Sequence, residues 1–213
     1  MTLQLVFFSD SHNKHQQIVI PEGDFLFFTG DLSGRGKLED LKKFVKFYAS
    51  QPHRHKVMIA GNHDFCFENE LRFEAEKIVT DAGIIYLNDS GIELEGLKIW
   101  GSPIQPWFHS WAFNRYPGDD ILRHWNLIPK GLDVLLTHGP AYGIMDKTAH
   151  GDLVGCPDLL LKVQELKPKI HAFGHIHEGY GMEKRGETVF INACNLDHEY
   201  HYAHPAIVYP FNQ

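Results

Sequence analysis

Five short apolar segments of the sequence each end in a cluster of polar side chains. The segments are Leu3–Phe8, Asp24–Thr29, Lys56–Ala60, Val134–Leu136 and Ile170–Phe173, and their length and β-forming residues predict buried strands. The clusters that follow are Asp10-x-His12, Gly30–Asp31, Gly61–Asn62–His63–Asp64, His138–Gly139 and Gly174–His175-x-His177. Because sites in open α/β sheets form beyond the carboxyl ends of the strands, we expect these five loops to converge.

The remaining pattern predicts an α/β sandwich with a mixed sheet. Helices are expected over Leu38–Ala49, Glu68–Ala82, Asp119–Asn126 and Asp158–Leu166. Further strands are expected over Ile84–Leu87, Ile92–Leu94, Leu97–Trp100, Thr188–Ala193 and Ala206–Tyr209, and a long loop over Ser102–Pro117. Strands alternate with helices early in the chain and pair with each other late, which favours the mixed sheet.

Length and composition predict one domain, residues 1–213, in the cytoplasm. A chain of 213 residues that is 43% hydrophobic can bury one continuous core, and we find no linker or repeat. Its start runs into a strand without a basic leader, and it has no apolar stretch long enough for a membrane span. A net charge of −7 argues against a nucleic-acid polymer as partner. The separated Cys66, Cys156 and Cys194 are interpreted as small core residues.

The side chains in the five clusters are suited to a divalent metal ion. Residues two apart in extended chain point the same way, so Asp10-x-His12 and His175-x-His177 can each present two ligand atoms to one region. Imidazole, carboxylate and amide donors without a thiolate suit Mn²⁺, Fe²⁺, Co²⁺, Ni²⁺ or Zn²⁺. Alone, Asp10-x-His12, Gly30–Asp31 or His138–Gly139 is more often a loop or capping feature, and the other two clusters are equally consistent with either interpretation. Five such clusters in order, each at the end of an apolar segment, favour a metal site. Its positive charge would attract a phosphate ester.

The order DxH, GD, GNHD, THG and GHxH resembles the calcineurin-like metallophosphoesterase superfamily over nearly the whole chain. Within it, the segments Gly101–Arg115, Leu136–Asp146 and Gly174–Gly181 are similar to the metallophosphoesterase-domain-containing phosphodiesterase branch. The resemblance implies a four-layer αββα sandwich with two mixed β-sheets. It also implies a binuclear metal centre, with manganese as our first expectation.

The resemblance further implies a role for each matching residue. Asp10, His12 and His177 would hold the first metal, Asn62, His138 and His175 the second, and Asp31 would bridge them. A hydroxide between the two ions would be the nucleophile of an in-line displacement. His63 would protonate the leaving oxygen or stabilise the transition state, and Asp64 would orient its imidazole.

Departures from the related phosphoprotein phosphatase motif favour diester substrates. Gly34 stands where that motif has an aspartate, and Asp64 stands where it has a glutamate, so Arg35 is not expected to clamp a phosphate. Without an arginine for the terminal oxygens of a monoester dianion, we expect small phosphodiesters, including cyclic nucleotides. A phosphomonoesterase or protein phosphatase with the same metals, and a catalytically weak scaffold protein of the same fold, remain alternatives. The sequence does not indicate the oligomeric state.

An aromatic loop follows the predicted strand at Trp100. Its Trp107 and Phe108 are candidates for stacking on a nucleobase or aryl group, although such rings more often pack a loop onto a sheet. Arg115 is a candidate contact to phosphate or ribose. His171, within an apolar strand, is interpreted as a core histidine, and the group from His198 to His204 receives no role.

Overall fold

The computed structural model describes residues 2–213, in which two β-sheets lie between α-helices. The strands are β1 (Thr2–Phe8), β2 (Phe25–Phe28), β3 (His55–Met58), β4 (Ile85–Tyr86), β5 (Ser90–Leu94), β6 (Leu97–Ser102), β7 (Gln105–Pro106), β8 (Asn114–Arg115), β9 (Val134–Thr137), β10 (Ile170–Phe173), β11 (Gly181–Arg185), β12 (Thr188–Asn192) and β13 (Ile207–Asn212). The helices are α1 (Leu38–Ala49), α2 (Arg72–Asp81), α3 (Asp119–Trp125) and α4 (Pro157–Leu166), with 3-10 turns at His15–Gln17, Phe65–Phe67 and His177–Gly179.

Both large sheets are mixed. The first has the strand order β13-β1-β2-β3-β4 and the second β11-β12-β10-β9-β6-β5, while β7 and β8 form a separate pair. In the first sheet β1 to β4 are parallel and β13 is antiparallel to β1. In the second sheet β6, β9, β10 and β12 are parallel, and the edge strands β5 and β11 are antiparallel. The carboxyl ends of β1, β2, β3, β9 and β10 therefore carry the five polar clusters.

Alternate residues of each strand enter two different cores, as the pleat of a strand requires. Phe7 and Phe27 stack between the sheets, 4.9 Å apart, in a core that includes Val134 and Leu136 of the second sheet. On the other face, Phe8 and Phe28 pack against α1, and the outer face of the second sheet buries Leu135 with side chains of α3 and α4. The layer order is therefore helices, sheet, sheet, helices, and the predicted αββα sandwich is confirmed.

The elements differ from the sequence-based prediction mainly where the local pattern is polar. Helix α1 has the predicted bounds, but α2 begins at Arg72 because a 3-10 turn occupies Phe65–Phe67. The strand β11, Gly181–Arg185, was not predicted, since an exposed edge strand rich in charged side chains lacks the apolar signal of a buried one. No helix within residues 2–213 combines the length and apolar character needed to cross a membrane.

His171 is a buried neutral histidine in β10. Its Nε2 lies 2.8 Å from Thr137 Oγ1, whose hydroxyl donates to the Gly139 carbonyl, so the ring must be the donor in this contact. The other ring nitrogen, Nδ1, has no hydrogen-bond partner within the described chain. Burial lowers the pKa of His171 to about 3, because a protonated ring would lose its hydration without gaining an acceptor.

We predict that His171 makes the fold sensitive to acid. The unfolded chain takes up a proton on this ring near pH 6.5, whereas the folded chain does so only near pH 3, so stability falls as the pH drops through this range. Between pH 6.5 and 5 the wild type should lose about 2 kcal/mol more unfolding free energy than His171→Gln. Urea unfolding of both proteins at several pH values measures this. Parallel pH profiles would contradict the prediction.

Candidate metal centre

Five loops bring all seven predicted ligand residues to one place between the two sheets. His138 Nε2 lies 3.4 Å from Asp31 Oδ2 and 2.8 Å from Asn62 Oδ1. His177 Nε2 lies 3.5 Å from Asp10 Oδ1, and His12 Nε2 lies 3.8 Å from Asp10 Oδ1 and 3.7 Å from Asp31 Oδ2. His175 lies in one group with Asp31 and His138, with the ligand atoms within 4.8 Å of one another.

The backbone turns sharply at four of these residues. Asp10, His12, Asp31 and His175 have φ values of 54°, 38°, 60° and 68°, in the left-handed region that residues other than glycine seldom adopt. Such conformations cost free energy and persist only where surrounding contacts hold them, which is typical of functional sites. Here they let the chain reverse direction directly after each strand and aim the side chain into the site.

Two glycines let neighbouring loops approach each other closely. A Cβ atom at Gly174 would overlap the Asp10 carboxylate, and one at Gly61 would overlap the Asp31 carboxylate. From the sequence, the glycines in the Gly30–Asp31, Gly61–Asn62 and His138–Gly139 clusters are expected to permit tight turns and close approach to a bound phosphate. In the structure, Gly61 and Gly174 make room for a carboxylate from another loop.

Hydrogen bonds fix the orientation of two imidazoles. The Nδ1 atom of His138 donates to the Thr29 carbonyl at 2.9 Å, and Nδ1 of His177 donates to the Asp197 carbonyl at 2.7 Å. Against the effect of burial, Asp31 raises the pKa of His138 to about 9 and Asp10 raises that of His177 to about 9, so a cation that binds here would displace a proton from each Nε2. With that proton gone, rings held in this way present Nε2 to the cluster, as metal-bound histidines commonly do. Nε2 of His12 is buried and has no hydrogen-bond partner in the described chain. This unpaired nitrogen beside two carboxylates fits a bound cation.

The charge states of these groups also fit a cation. Burial would raise the pKa of Asp10, but its hydrogen bond to His177 and the nearby imidazoles hold that pKa well below the ordinary value. The pKa of Asp31 is likewise lowered against its burial, mainly by His138. Burial lowers the pKa of His12 to about 4 and that of His175 to about 3, so both rings are neutral near pH 7 and have a free lone pair.

Cys194 lies closer to the site than the sequence suggested. Its Sγ donates to Asp10 Oδ2 at 3.2 Å, and it forms a group with Asp10 and His177 whose potential ligand atoms lie within 4.8 Å. Burial raises the pKa of this thiol well above its usual value, and the negative Asp10 adds to the effect. All three cysteines are buried and free, as expected for small core residues, and Cys194 also helps to orient Asp10.

Asp64 does not orient the His63 imidazole, contrary to the sequence-based expectation. Its buried carboxylate instead accepts backbone N–H groups from Gly61, Asp31, Leu32 and Ser33, at distances from 2.9 to 3.3 Å. His63 Nδ1 is paired with the Gly34 carbonyl at 2.8 Å. Burial raises the pKa of Asp64 to about 7, with a further contribution from the Asp31 charge. Asp64 therefore holds two ligand loops together.

We predict that Asp64→Ala lowers the free energy of unfolding by about 3 kcal/mol, because it leaves buried amide donors unpaired. It should also weaken metal binding, since Asp31 and Asn62 lie on the loops that Asp64 joins. Urea unfolding and metal titration measure the two effects. Asp158→Ala, which removes a carboxylate that accepts the Gly118 amide, is the matched control and should cost about 1 kcal/mol or less. Equal losses in both variants would contradict this role.

The aromatic ring of Trp111 lies against His63. The two rings are 4.1 Å apart at 30°, and the guanidinium carbon of Arg35 lies 4.9 Å from the Trp111 centroid. His63 Nε2 is 3.9 Å from Asp31 Oδ2. Trp111 thus confines the His63 ring beside the cluster, and the Arg35 guanidinium packs on the Trp111 ring. Nothing in the local sequence indicates this role for Trp111.

A cavity of about 690 Å³ opens above the cluster, and His12, Asp31, Asn62, His63, His175 and His177 line its floor. Of the predicted substrate contacts, Trp107 and Phe108 line it, whereas Arg115 does not. Arg115 Nη1 pairs with Glu68 Oε1 at 3.1 Å and its Nε lies 3.1 Å from His124 Nε2, beside a separate cavity of about 180 Å³. Sequence reasoning gave no reason to expect this, because Glu68 and His124 come from distant segments.

Three further residues outside the ligand motifs line the cavity, and of these the sequence predicts only that Glu178, directly after the last motif, shapes the cavity wall, while His198 and Tyr200 receive no role from it. Glu178, His198 and Tyr200 line the cavity, and the Tyr200 ring lies 4.8 Å from His12 and 5.1 Å from His177. The position of Glu178 directly after the last ligand histidine was a usable signal. Tyr200 reaches the site through the loop between β12 and β13, which nothing in the local sequence indicates.

Two mixed sheets between helices, with carboxylate, imidazole and amide side chains gathered on loops at the strand ends, form a candidate metal site of the kind that metal-dependent hydrolases use. The family model for calcineurin-like phosphoesterases matches residues 3–179, and the chain belongs to that family.

Two known proteins illustrate the similarity in sequence. Metallophosphoesterase domain-containing protein 1 of Homo sapiens is 39% identical over 224 residues, which cover 94% of this chain and 68% of that protein. A UPF0046 protein of Caenorhabditis elegans is 38% identical over 229 residues, covering 97% of this chain and 80% of the relative.

Solved structures are similar in fold. TT1561 of Thermus thermophilus superposes with a TM-score of 0.62 at 14% identity, covering 90% of this chain and 89% of that one. Another crystal structure reaches a TM-score of 0.72 at 16% identity over the full length of both chains. At these identities the likeness extends to the fold alone.

Proposed function

We propose that this chain is a two-metal phosphodiesterase that hydrolyses small phosphodiesters, and that Mn²⁺ supports its activity. The observation that carries the proposal is the set of side chains that line the cavity. Five of the seven candidate metal ligands line its floor, while no lysine or arginine of residues 2–213 is among the side chains that line the cavity.

The proposed ligands are Asp10, His12 and His177 for one ion and Asn62, His138 and His175 for the other. Asp31 is the shared ligand, and its proximity to His12 on one side and to His138 on the other supports this role. Divalent cations bound there supply Lewis acidity and positive charge for the attack of water on phosphorus. The chain itself supplies fixed ligands, because the imidazole and carboxylate groups are held by hydrogen bonds before any cation binds.

The charge of the cavity favours a diester over a monoester. A monoester dianion presents terminal oxygens that phosphatases usually hold with arginine or lysine. Arg35 lies against Trp111, and Arg115 is paired with Glu68 outside this cavity. A diester carries one negative charge, which the cations alone can balance. The second organic group of a diester can also occupy part of the large cavity and contact the side chains that line it.

His63 is the proposed general acid. Its Nδ1 donates to the Gly34 carbonyl, so a proton on the opposite nitrogen, Nε2, lies on the side facing Asp31 and the cavity. From there it can pass to the leaving oxygen as the bond to phosphorus breaks. Trp107 and Phe108 are half-exposed on the cavity wall and can contact an aryl group or the base of a cyclic nucleotide.

We predict that chelator-treated protein hydrolyses bis(p-nitrophenyl) phosphate only after Mn²⁺ or another divalent cation is added. Turnover should exceed that of p-nitrophenyl phosphate, because the cavity offers no cationic side chain to a dianion. His175→Ala should lower diesterase activity more than about 100-fold, since it removes a proposed ligand. Initial rates on both substrates measure this.

The control for this experiment is His55→Ala. His55 pairs with Glu95 at the amino end of β3, away from the cluster, and its loss should leave the diesterase rate unchanged. Faster hydrolysis of the monoester would instead favour a phosphomonoesterase. If neither substrate is hydrolysed with any divalent cation, the result would favour a scaffold protein.

We predict that Trp111→Leu impairs hydrolysis most where the leaving group needs a proton. Loss of the ring contact frees the His63 imidazole, so kcat on diphenyl phosphate should fall on the order of tenfold more than kcat on bis(p-nitrophenyl) phosphate. Trp100→Leu is the matched control, because Trp100 lies on β6 and does not line the cavity, and this variant should keep the wild-type ratio of the two kcat values. An equal loss of kcat on both substrates would contradict this prediction, because it would show that Trp111 stabilises the site as a whole and does not act through the His63 proton.

A further inference from the structure

The cavity lining includes a carboxylate that is not among the proposed metal ligands. Glu178 follows the ligand His177 directly and lines the cavity with an exposed side chain. Its Oε1 accepts the backbone N–H of Ala149 at 2.7 Å, and no ion pair joins its carboxylate to a cationic side chain among residues 2–213. The carboxylate is therefore tethered at one oxygen and free to pair with a charge on a ligand.

Partly exposed aromatic side chains also line the cavity. Trp107, Phe108 and Tyr200 line the cavity and keep 50%, 48% and 42% of their surfaces exposed. Aromatic rings attract cations through the negative potential of their faces, and the attraction is strongest where water is partly excluded. Exposed rings and an unpaired carboxylate in one cavity suit a positively charged organic group.

The nearby cationic side chains do not oppose this charge pattern. Arg35 lies against the Trp111 ring, and the Lys14 ammonium donates to the Tyr200 carbonyl. Neither of the two lines the cavity. A ligand that enters it would meet divalent cations on the floor and a carboxylate with aromatic rings on the wall.

We propose that the preferred substrates are phosphodiesters in which one esterified alcohol carries a positive charge, such as a protonated or quaternary amino alcohol. This rests on the proposed phosphodiesterase function and narrows its substrate class. The phosphate would lie on the ligand floor, and the ammonium group would lie against Glu178 and the rings of Trp107, Phe108 and Tyr200. Additional phosphate groups on a substrate would be repelled by the same carboxylate.

A pair of substrates that differ only in charge tests this. p-Nitrophenyl phosphorylcholine and p-nitrophenyl 3,3-dimethylbutyl phosphate have the same shape and leaving group, but a neutral carbon replaces the quaternary nitrogen in the second. With the Mn²⁺-loaded protein of residues 1–213, kcat/KM for the choline ester should exceed that for the neutral ester by about tenfold or more.

Variants of Glu178 assign the preference to this side chain. Glu178→Gln keeps an acceptor for the Ala149 amide but removes the charge, so the ratio of the two kcat/KM values should approach one. Glu178→Lys should reverse the preference. Glu187→Gln is the matched control, since Glu187 is an exposed residue paired with Lys167 in the turn after β11, and this variant should keep the wild-type ratio.

The outcomes separate this proposal from the function on which it rests. If bis(p-nitrophenyl) phosphate is hydrolysed but the ratio is one in the wild type, the charge preference is overturned and the phosphodiesterase function stands. A higher kcat/KM for cyclic AMP than for the choline ester, unchanged in Glu178→Gln, would also overturn it in favour of a nucleotide substrate. If no diester is hydrolysed with any divalent cation, the failure lies with the proposed function.

Discussion

The site depends on two carboxylates, Asp10 and Asp31, that are buried where the two sheets meet. An ionised carboxylate in such a place is stable only with close partners, because burial removes its hydration. The backbone amide of His175 donates to Asp10, and that of His63 donates to Asp31. Each carboxylate thus joins loops that are far apart in sequence. The positions of the imidazoles follow from the need to compensate these two charges.

This requirement explains which parts of the site were accessible to sequence reasoning. The ligand types and their place after apolar strands are local features, so Asp10, His12 and the paired His175 and His177 could be named before the fold was known. The order of strands and helices likewise predicted an α/β sandwich with a mixed sheet, whereas the four layers with two sheets were expected only from the family resemblance. The positive φ values at the ligands could not be predicted, because they result from contacts between loops.

The incorrect expectation about Asp64 has the same physical origin. Adjacent residues in a turn need not point to the same partner, and the carboxylate of Asp64 turned inward to four amides while His63 faced the cavity. Arg115 was proposed as a substrate contact from its type alone. Its guanidinium met a carboxylate, Glu68, 47 positions earlier in the chain, and the pair lies beside the smaller cavity. Partners of this kind are fixed by tertiary structure and have no local signal.

The distribution of charge connects the fold to the chemistry we propose. Cationic side chains near the cavity are occupied elsewhere, Arg35 by the Trp111 ring and Arg115 by Glu68. Positive charge for a phosphate must then come from bound cations, which the buried carboxylates attract. A site built in this way discriminates against substrates whose charge needs further cations from the protein. We therefore propose that selectivity among monoanionic diesters depends on the cavity wall. There, Glu178 and the exposed aromatic rings contact the organic groups of the substrate, whereas the floor contacts its phosphate.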